Sequence, residues 1–316
     1  MKSLRPSTPA WFIAGAILLV VPLFLEGYSV FLATELLIWA LFAVSLDLLL
    51  GYTGLPSFGH AVFFGVPAYA FGMVLVRQDS LALAVLAGYC AVAVVALLVG
   101  YFALRTGGTG YIIVTLLASF AFFTFALTAT GLTGGEDGLR LPRDRSFAAL
   151  DTRLAYGIVA SVWLLLFLLA RWVVRSNVGH LLAAIRSNER RVQAMGYHVD
   201  AAKLLVTLVS AFIAGTAGML YALLSRTLSA ELVGPALSTE VVIWVLLGGV
   251  QTLVGPIVGA AAFMGLKQLL SSTTWYPLLL GLVFIAIVLW APRGLVSLLA
   301  RRAPRHPSPT TGDTEP

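Results

Sequence analysis

Apolar runs recur along nearly the whole chain, separated by short intervals that are polar or rich in glycine. They cover Trp11 to Leu25, then 29–50, 60–76, 81–104, 110–130, 154–174, 204–224, 238–253, 255–270 and 276–291. Several reach the roughly 20 residues with which a helix crosses the hydrocarbon of a bilayer. Segments that are apolar on every face predict buried or lipid-facing helices, because only a closed hydrogen-bonded backbone is stable in hydrocarbon. The pattern predicts an all-α, polytopic helical membrane protein of about ten transmembrane segments. The run Trp11–Leu25 leads through Glu26-Gly27-Tyr28 straight into the next and shows no small-residue cleavage site, so it reads as an anchor or first span.

Composition agrees with that pattern. Of 316 residues 59% are hydrophobic and 11% charged, against about 25% charged in an ordinary soluble domain, and mean hydropathy is +0.96. A net charge of +6 matters through its distribution. Starting inside, alternate spans collect Lys2, Arg5, Arg105, the 171–203 basic residues, Arg293, Arg301, Arg302 and Arg305 on one side, which predicts that both termini are cytoplasmic. Residues 1–302 then form one transmembrane domain, and 303–316, rich in Pro, Thr and acidic residues, a disordered cytoplasmic tail. Cys90 is the single cysteine, so no disulfide framework exists. No catalytic constellation, phosphate-binding loop or metal-ligand spacing occurs, which disfavours an enzyme, and nothing indicates nucleic-acid binding.

Three segments interrupt the spans. Gly51-Tyr52-Thr53-Gly54-Leu55-Pro56-Ser57-Phe58-Gly59-His60 is too rich in turn formers for a continuous membrane helix. Non-helical backbone at membrane depth persists only where protein buries it or where it lines a wet path, as broken helices of transporters do. A plain glycine-rich connecting loop is the alternative. Gly248 to Gly259 forms a similar break, although Gly255 and Gly259 have small-xxx-small spacing that suits helix packing. The 131–153 segment is a polar loop. Glu35, Asp47 and Glu240 are intramembrane charges, costly and by default functional; Glu240 leads them because it precedes the Gly248 break.

The polar stretch 175–203 contains Leu181, Ile185, Val192 and Met195 at helical intervals, with Arg186, Glu189 and Arg190 opposite and Gly196 as a stop. It predicts a short amphipathic cytoplasmic helix. Its apolar side needs either the bilayer surface or a groove on a soluble partner.

These segments together resemble the LivM-type permease subunit of ABC importers for branched-chain amino acids, over about residues 30–298. Gly51-Tyr52-Thr53-Gly54 with Ser57-Phe58-Gly59-His60-Ala61, Phe64-Gly65 and Ala68-Tyr69 carries the first likeness. Thr109 to Leu116 with Leu132-Thr133-Gly134-Gly135 and Gly138-Leu139 carries the second. Gly179-His180-Leu181, Ala184 to Glu189 and Ala194-Met195-Gly196 carry the third, and Leu247-Gly248-Gly249 with Gly255 to Ala260 a fourth. Pro56 and Pro67 depart from the family pattern.

The resemblance implies that 179–196 is a coupling helix seated in a groove of a separate ATPase, with Gly179, Ala184, Ile185, Asn188, Ala194 and Gly196 in it and Arg186 and Glu189 at the polar contact. It implies two ABC ATPase subunits that bind ATP and Mg, no cofactor on this chain, a second related permease subunit, a periplasmic substrate-binding protein docking near 131–153, and a bacterial inner-membrane location. The translocation path would then run past Gly51, Tyr52, Gly54, Ser57, Gly59, His60, Thr115, Glu240, Gly248 and Gly249. Related permeases for urea, short amides or aromatic acids share this architecture. An ion-coupled secondary transporter would require paired buried carboxylates on facing helices.

Overall fold

The structure is a computed structural model that describes residues 27–78 and 80–270, together with 275, 278, 281, 282, 284, 285 and 294–296. The run 11–25, the basic residues at both ends, most of 276–291 and the tail 303–316 lie outside the described residues. Within them the chain forms α1 (Tyr28–Asp47), which continues as a π-helical turn over Leu48–Thr53, then α2 (His60–Gln78), α3 (Leu81–Thr106), α4 (Gly108–Thr128) and α5 (Thr152–Arg175). Two short helices follow, α6 (Asn177–Ser187) and α7 (Glu189–Ala194), and then α8 (Val199–Ser225), α9 (Pro235–Gly248) and α10 (Val254–Leu270).

Six of these helices, α1 with its π-turn, α2, α3, α4, α5 and α8, are long and apolar enough to cross a membrane. The shorter α9 and α10 are apolar as well and together form a hairpin. Burial separates the long helices into two groups. The apolar windows of α1, α2 and α8 are 67% buried, whereas those of α3, α4 and α5 are 33%, 22% and 39% buried. Leu86, Leu98 and Phe102 on α3, Leu117 and Phe125 on α4, and Leu165 and Trp172 on α5 remain exposed. Stripes of this size are untenable in water and natural in lipid, so α3, α4 and α5 face the bilayer while α1, α2 and α8 form the centre.

The centre depends on close backbone approach. A Cβ at Gly218 of α8 would collide with the carbonyl of Phe64 on α2. At the junction Trp39 stacks on Phe64 at 5.2 Å between ring centroids, with Tyr221 at 4.9 Å and Trp244 edge-on at 5.7 Å, so one aromatic cluster ties α1, α2, α8 and α9 together.

One end of the bundle is closed by the 131–153 segment. It packs as a turn Thr130–Thr133, short 3-10 turns and a strand β1 (Leu139–Arg140) that pairs antiparallel with β2 (Thr227–Leu228). Arg145 donates to the carbonyls of Leu75 and Val76 at the C-terminus of α2, at 3.1 and 3.3 Å. The predicted loop is therefore an ordered cap, because its carbonyls and cations find partners on neighbouring helix ends. The ribbon places 131–153 and the segment after α8 at the same end, as the alternating-span reading requires. The opposite end carries 51–59, α6, α7 and 249–253.

The first break starts later than the glycines suggest. The chain stays helical through Thr53, because widening to a π-turn keeps its backbone bonded and Thr53 Oγ1 donates to the Leu49 carbonyl. It ends at Gly54, whose φ of 73° is left-handed and suits glycine.

Candidate functional site

Three interruptions meet at the end bearing α6. Asp47, at the last turn of α1, is fully buried. Its Oδ1 accepts the amide of Gln251 at 2.9 Å and its Oδ2 that of Leu253 at 3.3 Å. Gln251 and Leu253 hold φ of 67° and 55°, positions that cost a non-glycine residue roughly 1–3 kcal/mol each and persist only when the surroundings impose them. The carboxylate supplies that imposition. Tyr52 donates from its hydroxyl to the Gln251 carbonyl at 3.0 Å, a second tie to the same turn. A Cβ on Gly51 would lie 2.8 Å from the Asp47 carboxyl carbon, which explains the glycine one turn after the acid. Arg186 of α6 donates to the Gly51 carbonyl and lies within electrostatic reach of Asp47.

Asp47, rather than Glu240, is thus the intramembrane acid that engages the second break. Its position four residues before Gly51 was the only available signal, since the amides it binds lie far along the chain.

The predicted single amphipathic helix is two helices. The chain leaves helical geometry at Asn188, with φ −161° and ψ 94°, and the Asn188 side chain caps α7 by accepting the Arg191 amide at 3.0 Å. The break shifts the helical phase, so the buried face is Gly179, Leu182, Ile185 and Val192, while Leu181 is half-buried and Met195 exposed. That face packs on the chain's own α5, α8 and π-turn. Neither the bilayer nor a soluble partner is needed to cover it.

The two expected polar contacts also bond within this chain, Arg186 while still exposed and Glu189 with its side chain 42% exposed. Arg186 reaches Gly51, and Glu189 accepts from Lys203 of α8 at 2.6 Å, with the lysine side chain 8% exposed. Ala184, Asn188, Ala194 and Gly196 remain on the outer surface, joined by Arg190, Met195 and Tyr197.

Gly179 sits where the chain turns from α5 into α6, and a Cβ there would meet the Val174 backbone. Gly179→Val is expected to displace α6 and cost about 1–3 kcal/mol through overpacking. Increased protease cleavage within 176–196 of the purified protein checks this, and unchanged cleavage would remove the steric argument.

Ser57, Gly59, His60 and Thr115 form a separate, fully packed cluster. His60 opens α2 instead of lying in a loop. Its Nε2 is 2.8 Å from Ser45 Oγ, which donates in turn to the Phe42 carbonyl at 2.6 Å, so Nε2 acts as the donor to Ser45. The ring stacks on Phe42 at 5.3 Å. Thr115 accepts the Phe58 amide at 3.3 Å, and a Cβ on Gly59 would strike the Thr115 carbonyl. Ser57 is buried against Tyr111 beside Thr207. These residues seal the bundle among the described residues and lie apart from the cavity around Glu240.

Gly248 and Gly249 belong to the α9–α10 crossing. Cβ atoms at Gly255 and Gly259 would collide with the carbonyls of Gly249 and Trp244, so the small-xxx-small pair acts in packing as its spacing implies. Glu240 stands elsewhere, in a cavity of about 580 Å³ at the other end of the bundle, between α1, α8, α9 and α10. Glu35, Lys267, Trp39, Tyr221 and Trp244 line it as well. The ten path residues drawn from the sequence therefore occupy three places: the node around Asp47 with the neighbouring α9–α10 crossing, the sealed cluster, and this cavity.

With this geometry in view, a family model described as the permease component of branched-chain amino acid transport systems matches residues 28–290. The high-affinity branched-chain amino acid transport system permease protein LivM of Salmonella typhimurium is 26% identical over 309 residues, covering 88% of this chain and 72% of the relative. The protein of the same name from Escherichia coli is 26% identical over 318 residues, covering 91% and 75%. No solved structure matches.

Proposed function

Because the chain belongs to the permease-component family of branched-chain amino acid transport systems, we propose that it is one membrane subunit of an ATP-driven ABC importer carrying branched-chain amino acids. On this reading two ATPase subunits bind ATP and Mg against α6 and α7, a second related permease completes the path, and a periplasmic binding protein delivers substrate at the capped end. The chain lies in the bacterial inner membrane with both termini cytoplasmic.

One observation supports this assignment above the rest: α6 is bonded directly to the first broken segment and, through Asp47 and Tyr52, linked to the second. A push on α6 reaches Gly51 through Arg186, and Asp47 and Tyr52 pass it to the 249–253 turn. Packed elements joined in this way move between discrete arrangements instead of deforming continuously. The outward-facing Ala184, Arg190, Ala194, Met195 and Tyr197 supply the surface for the ATPase. Arg186 and Glu189 bond to this chain's own Gly51 and Lys203, so their role on this reading is transmission.

The test uses the complex co-expressed with its ATPases and partner permease and reconstituted in liposomes. Arg186→Ala is expected to leave the ATPases bound while ATP-dependent leucine uptake falls about tenfold, which corresponds to 1.4 kcal/mol of lost coupling. Arg186→Lys, which keeps a donor but loses the planar fork, is expected between the two. Uptake by the permease without ATPases would overturn the importer assignment. Loss of ATPase binding in Arg186→Ala would instead return this residue to the intersubunit contact.

A further inference from the structure

The cavity around Glu35 and Glu240 is not used by the coupling node and lies at the opposite end of the bundle. Its walls carry charges of both signs. Glu35 projects from α1 and Glu240 from α9, with Lys267 of α10 close enough to act electrostatically on Glu240. Trp39 donates its Nε1–H to Glu35 Oε1 at 3.2 Å and fixes that carboxylate on the wall. Trp244, only 3% exposed, lines the same space, and its buried Nε1–H has no acceptor among the described residues. A buried donor without a partner calls for an explanation, and a ligand acceptor supplies one.

A volume of about 580 Å³ falls within the range of small-molecule pockets, roughly 300–1,000 Å³. Two carboxylates against one lysine favour a ligand with a positive group. The indoles of Trp39 and Trp244 add the faces on which an ammonium is attracted by the ring quadrupole. A divalent metal would need more oxygen ligands than these two acids provide, whereas Lys267 and the Trp244 N–H suit a carboxylate. Leu36, Leu237 and Met264 give an apolar wall.

We infer that this cavity is a binding site for a zwitterionic α-amino acid with an apolar side chain, its ammonium held by Glu35 and Glu240 and its carboxylate by Lys267 and Trp244. The inference rests on the importer reading above and deepens it, giving this subunit a selective station at the end remote from the ATPases. Zwitterionic recognition excludes urea and neutral amides here, since neither carries the charge pair.

The assembled complex in nanodiscs of pure phosphatidylcholine provides the test. Cys90→Ala removes the native thiol and Ala261→Cys, on the cavity wall, supplies a reporter whose rate of reaction with a small maleimide is measured. Leucine is expected to slow labelling, while isoamylamine and 4-methylpentanoate, each carrying one of the two charges, slow it only at much higher concentration. Glu240→Gln, Glu35→Gln and Lys267→Met are each expected to raise the leucine concentration for half-protection about tenfold, which is 1.4 kcal/mol, with the unliganded labelling rate unchanged.

Unprotected labelling in a complex that imports leucine with ATP overturns the site and leaves the importer reading standing. Absence of both protection and leucine import overturns both. Protection seen only after phosphatidylethanolamine is added assigns the cavity to a lipid headgroup and overturns the amino-acid site.

Discussion

Asp47→Ala is expected to destabilise the protein by about 1–3 kcal/mol, since a buried amide loses its acceptor and a partly buried one must turn to water. The affected amides are those of Gln251 and Leu253. Their positive φ values make the loss worse, because the turn has little intrinsic reason to keep its shape. Asp47→Asn retains one acceptor oxygen and is expected about midway. Thermal unfolding of the purified protein in detergent measures the effect. In the reconstituted importer, Asp47→Ala is expected to reduce leucine uptake at least as strongly as Arg186→Ala, since it removes the later link of the same chain of contacts. A variant that melts and transports like the wild type would show that the 249–253 turn is held by something else.

Gly248→Val and Gly259→Val are expected to be the most disruptive substitutions outside that node. The Cβ positions at both residues are already filled by backbone: that of Gly248 would lie 2.9 Å from the Gly259 nitrogen, and that of Gly259 would lie 2.9 Å from the Trp244 carbonyl carbon. Overpacking a core costs typically about 1–3 kcal/mol, and these obstacles are main-chain atoms that cannot rotate away, so each variant belongs at the upper end. Gly265 of the same helix α10 has open space around its Cβ position. Gly265→Ala is therefore expected to be nearly neutral and serves as the control. Recovery of monodisperse protein by size exclusion separates the two groups, and equal recovery would mean that α9 and α10 can part without penalty.

Helical spans were legible in the chain because lipid leaves a long apolar run few other options, and the described helices begin and end within a few residues of the predicted runs. Glycine and proline likewise marked the breaks near 54–59 and 249–253. Side-chain partnership was not legible. Leu181 and Met195 were assigned to the apolar face by carrying one helical period through 188, whereas the non-helical backbone of Asn188 resets that period. His60 reads as a loop residue beside glycines, yet it is a core histidine because Ser45 and Phe42, one turn apart on a different helix, receive it. Glu35 and Glu240 lie far apart along the chain, and they meet at one cavity because α1 and α9 are neighbours in space. The last two differences arise from contacts between distant segments, which local periodicity does not encode.

The bond from Asp47 to Gln251 spans 204 residues of sequence. Synthesis at roughly 5–20 residues per second separates the emergence of the acid from that of its donors by about 10–40 s. Throughout that interval α1 occupies the membrane, or the machinery inserting it, with a carboxylate whose final donors do not yet exist. Chains that stop short of 251 never leave this condition, so a carboxylate at membrane depth marks them as unfinished. The side chain that ties the two breaks together in the finished chain is thus left without these donors in any chain that ends before residue 251.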